Sequence, residues 1–474
     1  MEDLKEELFY IKKDLLTQNT KMEQLFEAKN IICTNNYNGI QYVFKDKNFY
    51  NIVNKNTLPV IPDAAIIFGE QPRERNIELV DYAYNLKLPL FVAENSFIRS
   101  AYCWALGEIP LKFSDAHSFI ISNIMYFDAI NVNDWEKTLQ DKNFKLDEAQ
   151  KQRARKLINK IVENNLTKYN HQPILEPKIG RDGAKKVLVI DQAYRDMSIQ
   201  KGLGNDYTFE NMLKSAIEEN PDADIIVKTH PDVMQRTRQG YYQGLKSEGR
   251  VHVLTDPINP ISLIKYSDKV YVCSSQFGFE ALMCGKEVHT FGMPFYAGWG
   301  LTKDRINFKR RTAQRSLEEV FYVAYIMYSY WVNPKKKCRC EIEEALDYII
   351  ELRKDLFIEL EKIKEQDRKR KQKLFEDLKN SSHKIVLWGA SLFLEDFVKQ
   401  FDIENENILG VIDKNPDKQG SFVGKHQIFK PEELKDLKPD EIIITIVNSS
   451  EEREKEIKEF LNINNLNNIK VKRI

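Results

Sequence analysis

The sequence predicts an α/β protein made of two Rossmann-like halves, a helical connector and a small C-terminal Rossmann-like βαβ domain. Three observations predict it. Short apolar, largely β-branched runs alternate with amphipathic stretches through residues 31–310, the pattern of parallel sheets covered by helices. Runs such as VLVIDQ, IIVKTHPD and YVCSSQFG end in polar or glycine-containing turns, and a parallel sheet presents its functional groups beyond the carboxyl ends of its strands. A Pro-, Gly- and charge-rich stretch at 166–186, containing LEPKIGRDGAKK, separates one such series from the next.

In chain order, residues 1–30 read as a helix with Leu4, Leu8, Ile11 and Leu15 on one face, a packing or dimerising helix. Residues 31–170 form the first half, from IICT, PDAAIIFG, IELVDYAYNL and PLFVAEN to the long helix EAQKQRARKLINKIVENN. Residues 171–310 form the second half, reached through the linker. Residues 311–380 read as a helical return and connector. Its aromatic part, FYVAYIMYSYW, is expected to pack back across the cleft between the halves, and Arg353–Lys379 to form a charge-laced helix. Residues 381–474 are a separate unit with strands in KIVLWGAS, ILGVID, DEIIITIVN and NIKVKRI and helices between them. Its GAS turn, Gly389 to Ser391, lacks the full G-x-G-x-x-G pattern of a dinucleotide site.

At 474 residues the chain is long enough for two or three domains. It has 71 basic and 71 acidic residues, a formal net charge of +0, so any anion site must be local and nucleic acid is not an expected partner. Six cysteines form no disulfide framework; Cys338 and Cys340 make a C-x-C with no second pair at zinc spacing, and no metal is expected. The N-terminus lacks the apolar core of a signal peptide and no run is long enough to span a bilayer, so a cytoplasmic location is expected.

The residues that can carry chemistry cluster at the predicted strand ends. Asp191 and Asp196 bracket the turn after VLVI, with Gln192 and Arg195 between them; Asp191 comes directly off the strand. Lys228, His230 and Pro231 follow ADIIV, where a histidine can donate to a phosphate and the proline fixes the turn. Ser274 and Ser275 offer hydroxyls and free N–H groups at a helix start, and Gly278 permits close backbone approach. A plain N-cap is the structural alternative. Glu280, in that helix, either binds a ribose hydroxyl or only favours the helix dipole. In the first half, Glu94 and Arg99 follow PLFVA, and Arg73 and Arg75 follow AAIIFG. Tyr296 and Trp299, in PFYAGWGLT, either stack on a flat ligand or pack in the core.

These motifs, THPDV, SSxFGFEAL, FGxPFYAGWGLT and the opening DQxxxDxSI, resemble those of the bacterial capsule polysaccharide β-Kdo transferases of the KpsC type. ENSFIRS at Glu94–Ser100 is similar to that family's EDGFIRS, with an amide and a serine in place of its acid and glycine. The resemblance covers about 60–350. It implies a GT-B-like arrangement and a retaining glycosyltransferase that moves Kdo, or a similar ulosonic acid, from its CMP form to a capsule-type glycan or glycolipid. Residues 31–170 would then be the acceptor side and 171–310 the CMP-sugar side. Asp191, Asp196 and Glu94 would be catalytic, with Asp191 the preferred nucleophile over Asp196 and Glu94 the acid or base. Gln192, Arg195, Lys228, His230, Pro231, Ser274, Ser275, Gly278 and Glu280 would hold the donor. Arg73, Arg75, Arg99, Tyr296 and Trp299 would hold the acceptor. CMP-Kdo is a substrate and no cofactor is implied. Peripheral association with membrane-bound assembly machinery is left open, as are two alternatives: another nucleotide-sugar donor on the same scaffold, or a non-catalytic assembly partner.

Overall fold

In the computed structural model, residues 2–34, 39–103, 109–229, 239–401, 406–446 and 450–474 are described. The chain divides into two compact units, Met1–Leu356 and Phe357–Ile474. The first contains both expected α/β halves.

The first half is built on β1 (Asn30–Cys33), β2 (Asn48–Asn51), β3 (Ala64–Phe68), β4 (Leu90–Asn95) and β5 (Ser118–Ser122). β1 to β4 pair in parallel; β5 joins β4 antiparallel. The second half is a six-stranded all-parallel sheet of β6 (Lys186–Ile190), β7 (Asp224–Lys228), β8 (Val251–Leu254), β9 (Lys269–Val272), β10 (Glu287–Thr290) and β11 (Lys303–Asp304), in the order 11-10-9-6-7-8. β3, β6, β7 and β9 are continuous apolar runs because helices cover both faces of these sheets.

The return segment differs from the expected all-helical connector. After the helix Leu317–Phe321 and the π-helical turn Tyr322–Met327, the chain forms β12 (Tyr330–Asn333) and β13 (Cys338–Arg339). These extend the first sheet to seven strands in the order 13-12-5-4-3-1-2. Helical periodicity hid this hairpin, because YWVNPKKKCRC is too short to show alternation. The aromatic part does pack where the halves meet. Tyr325 stacks on Phe97 of the first half at 4.7 Å, and Phe97 meets Phe295 of the second at 5.0 Å. Trp135, Tyr126 and Phe279 complete this cluster.

The N-terminal helix α1 (Glu2–Gln18) packs through a face other than the expected one. Phe9, Lys13 and Thr17 are buried, whereas Leu4, Leu8, Ile11 and Leu15 are exposed.

The second unit has a six-stranded sheet of β14 (Ile385–Trp388), β15 (Ile408–Ile412), β16 (Phe422–Val423), β17 (His426–Phe429), β18 (Glu441–Ile444) and β19 (Lys470–Arg473), in the order 16-17-15-14-18-19. Its boundary lies inside the helix Ile342–Lys379, upstream of the expected 380/381 division. Leu374 and Leu378 of that helix belong to the core of the second unit. This fixes where the chain can be cut. A chain ending at Leu356 keeps Ile342, Ala345, Leu346 and Ile349 in the first core and is expected to stay folded. A chain ending at Asn380 exposes Leu374 and Leu378, which removes roughly 1.5–3 kcal/mol of burial per leucine and favours aggregation. Thermal unfolding and light scattering of the two truncations check this; an insoluble 1–356 fragment contradicts it.

Candidate active site

The carboxyl ends of β3, β4, β6, β7 and β9 converge on a cavity of about 980 Å³ in the first unit. Its wall includes Arg73, Arg75, Glu94 and Arg99 from the first half. From the second half it includes Asp191, Gln192, Asp196, Lys228, Ser274, Ser275 and Glu280. His230 and Pro231 lie outside the described residues.

Asp191 follows β6 and is 1% exposed. Its Oδ1 accepts from the Gln192 amide at 2.9 Å and the Tyr241 amide at 3.0 Å. Burial pushes its carboxyl pKa up to about 6, against the lowering effect of the Tyr241, Gln192 and Tyr242 amides. Its Oδ1 therefore braces a loop, while its Oδ2 has no hydrogen-bond partner among the described residues. Gln192 ties two strand ends together: its Oε1 accepts from the Ser274 amide at 3.0 Å and its Nε2 donates to Ser274 Oγ at 3.2 Å.

Asp196 caps the short helix Met197–Lys201. Its Oδ1 accepts from Ser198 Oγ at 2.7 Å and the Ser198 amide at 3.0 Å, and it is only partly buried on the cavity wall. The other end of this helix is pinned to the first half. Lys201 Nζ donates to Glu70 Oε1 and Asp128 Oδ2, both at 2.9 Å, and the Lys201 carbonyl accepts from the Ala129 amide at 2.8 Å. Glu70 also pairs with buried Lys13 of α1 at 2.9 Å. The helix carrying Asp196 is thus fixed relative to the opposite wall.

On that wall stands Glu94. Burial raises its carboxyl pKa; Lys168 and the Asn95 amide lower it, and the negative charges of Asp196 and Glu70 raise it further. Burial also pushes the Tyr126 hydroxyl up to about 12, where Lys168 opposes and Glu94 and Asp196 add. Burial alone would lower the Lys168 ammonium pKa, but Tyr169, Tyr126, Glu94 and Asp196 more than offset it and the pKa is raised. Glu94, Asp196, Lys168 and Tyr126 therefore share one electrostatic environment, drawn from both halves and the linker between them. Sequence reasoning missed Lys168, Tyr126, Thr167 and Glu70. Thr167 and Lys168 sit in the stretch assigned only as a linker, and LTKYNHQ, with its Lys, Tyr and His together, is the sequence feature that marks it. The Lys168 carbonyl accepts from the Arg99 amide at 3.0 Å, which seats the linker on ENSFIRS.

Other expected residues fall into different positions. Lys228 is 7% exposed, donates to the Asp256 carbonyl at 2.7 Å, and is pulled by burial to about 8, with Asp256 opposing. Glu280 is buried, accepts from Thr167 Oγ1 at 2.5 Å and Gln276 Nε2 at 3.0 Å, and is pushed by burial to about 7, against those hydrogen bonds and Lys168. Arg99 donates to Ser100 Oγ at 2.9 Å and the Ser114 carbonyl at 2.8 Å. Arg73 and Arg75 are exposed on the cavity wall. Arg195 is exposed with its guanidinium over the Tyr194 ring, not in the cavity wall, because its left-handed backbone (φ 56°) turns it outward.

Tyr296 and Trp299 are core residues instead of a stacking surface. Both are 0% exposed; Tyr296 donates to the Ser275 carbonyl at 2.6 Å and Trp299 Nε1 to the Phe295 carbonyl at 2.8 Å. Gly278 serves Tyr296, not a ligand: a Cβ there would stand 2.2 Å from the Tyr296 hydroxyl. Gly278→Ala is expected to destabilise the protein by about 1–3 kcal/mol through overpacking. Tyr296→Phe in the same chain should restore part of that loss, measured by chemical denaturation. A neutral Gly278→Ala would contradict the packing role.

A family model for capsule polysaccharide biosynthesis proteins matches residues 63–333, and one for C2185-like N-terminal domains matches 381–471. The capsule polysaccharide modification protein LipA of Neisseria meningitidis serogroup A is 38% identical over 298 residues, which are 60% of this chain and 41% of LipA. The lipopolysaccharide-processing protein LpsZ of Rhizobium meliloti is 32% identical over 267 residues, 56% of this chain and 60% of LpsZ. The chain thus spans less than two thirds of either relative. The solved β-Kdo 2,4 transferase of Thermosulfurimonas dismutans KpsC is 31% identical with a TM-score of 0.60, over 68% of this chain and 98% of that one. The architecture is GT-B-like.

Proposed function

Since the chain belongs to the capsule polysaccharide biosynthesis family of the KpsC type, we propose that it is a retaining transferase that moves Kdo from CMP-Kdo to a capsule-type glycan or glycolipid. The observation that carries this reading is the pair of carboxylates on opposite walls, Glu94 and Asp196, with Asp196 raising the Glu94 pKa and Lys168 stabilising both charges. Two acids held in unlike environments serve as nucleophile and acid/base in retaining sugar chemistry.

In the proposed mechanism the earlier preference for Asp191 gives way to Asp196. Each carboxylate has one oxygen held by a backbone amide, but Asp191 is 1% exposed whereas Asp196 is only partly buried and its charge acts on both Glu94 and Tyr126. An Asp196 oxygen attacks the anomeric carbon of Kdo, the bond to the phosphate oxygen breaks, and CMP leaves with the electron pair. The resulting glycosyl ester has inverted configuration. The acceptor hydroxyl then attacks the same carbon, Glu94 takes its proton, and the carboxylate of Asp196 departs. The second inversion restores the β configuration. Lys168 and Lys228 would balance the carboxylate and phosphate of the donor, and Ser274, Ser275 and Gln192 would line its binding face. Arg73 and Arg75 would meet an anionic acceptor.

Incubation of the chain with CMP-Kdo and a Kdo-terminated glycolipid should yield CMP and a β-linked product, detected by NMR. Turnover of a different nucleotide sugar in place of CMP-Kdo would support another donor on this scaffold. Absence of turnover with any donor would support the non-catalytic reading.

A further inference from the structure

α1 carries two faces of different kinds. Phe9, Lys13 and Thr17 face the protein, and Lys13 reaches buried Glu70. About 170° around the helix, at 100° per residue, Leu4, Leu8, Ile11 and Leu15 are 59%, 42%, 50% and 47% exposed. Their 4-3-4 spacing is a d-a-d-a heptad seam, an arrangement that a single amphipathic helix already packed on its protein does not need. The positions flanking the seam are charged. Lys5 and Lys12 occupy e; Glu7 and Asp14 occupy g.

We propose that α1 pairs in parallel with α1 of a second copy of this chain. The charges select this occupant and this orientation. In a parallel pair each g residue meets the e′ residue five positions later, so Glu7 meets Lys12 of the other copy, twice by symmetry, and shares its ammonium with that copy's own Asp81, which holds it at 2.7 Å. In an antiparallel pair g meets g′ and e meets e′, which sets Glu7 against Asp14 and Lys5 against Lys12. The seam is narrow and bordered by charge on both sides, which suits two strands. The exposed ring of Tyr84, beneath Lys12 at 5.6 Å, extends the apolar surface beside it. An anionic membrane is a poor occupant, because the exposed Glu6 and Glu7 and the partly buried Asp14 outweigh the exposed Lys5 and the partly buried Lys12.

The test uses the full chain in sedimentation velocity and light scattering. The wild type is expected to be a concentration-dependent dimer. Leu8→Glu should be monomeric, with the unfolding temperature that the wild type shows at dilutions where it is monomeric, because Leu8 is 42% exposed and outside the buried core. Leu4→Cys alone should oxidise to a disulfide-linked dimer, since d faces d′ in a parallel pair. A wild type that stays monomeric overturns the proposal, as does dimerisation of Leu8→Glu at wild-type strength. Cross-linking only when Leu4→Cys is mixed with Leu15→Cys overturns the orientation. Binding of a monomer to phosphatidylglycerol vesicles, abolished by Leu8→Glu, would assign the face to membrane instead.

Discussion

Asp196→Asn is expected to lower Kdo transfer by about 10³-fold or more, the scale on which loss of a covalent nucleophile is felt. CMP-Kdo binding and folding should be retained, because asparagine can still cap the helix Met197–Lys201 through its side-chain oxygen. Asp191→Asn tests the competing assignment. It leaves one amide oxygen to accept from Gln192 and Tyr241 and removes a carboxyl whose ionisation burial opposes. Its effect on transfer should be smaller than that of Asp196→Asn. Steady-state rates and calorimetric CMP-Kdo binding separate the two, and near-normal transfer by Asp196→Asn would remove Asp196 from the chemistry.

Glu94→Gln is the second large effect, about 10²–10⁴-fold on transfer, as expected for a general base. The pH dependence carries the sign. Glu94 must be ionised to take the acceptor proton, so kcat should rise as pH rises through its pKa. Burial, with the charges of Asp196 and Glu70, holds that pKa above the ordinary carboxylate range. The acid limb of the profile should therefore lie at higher pH than a free carboxylate gives, and Glu94→Gln should abolish it. Lys168→Met removes the strongest force lowering the Glu94 pKa and should move the limb further up. An acid limb unchanged in Glu94→Gln would exclude Glu94 as the base.

The legible parts of the fold were those written in local periodicity. β6, β7 and β9 read as apolar runs, and their polar ends do face one cavity, because a parallel sheet leaves its side chains little choice of direction. The hairpin of β12 and β13 was not legible, since its pairing with β5 is set by residues more than 200 positions away. The boundary inside Ile342–Lys379 was hidden by a continuous helical pattern that serves two cores in turn. Within the site, residue types predicted position better than role. Tyr296, Trp299 and Gly278 carry the composition of a sugar platform, yet packing against Ser275 and Phe295 takes them inward. Lys168 was missed because a lysine in a linker has meaning only once Glu94 and Asp196 are brought beside it. On α1 the heptad seam was visible in the sequence; which face the protein itself would bury was not.

The central claim is that two carboxylates on opposite walls divide the work, with Asp196 carrying the sugar between two inversions. Intact-mass analysis of the wild-type chain incubated with CMP-Kdo in the absence of acceptor tests it most directly. One Kdo ester per chain is expected, mapped by peptide sequencing to Asp196, accumulating further in Glu94→Gln and absent from Asp196→Asn. An ester on Asp191, or transfer with retention and no covalent adduct under conditions where Glu94→Gln should trap it, would contradict the account.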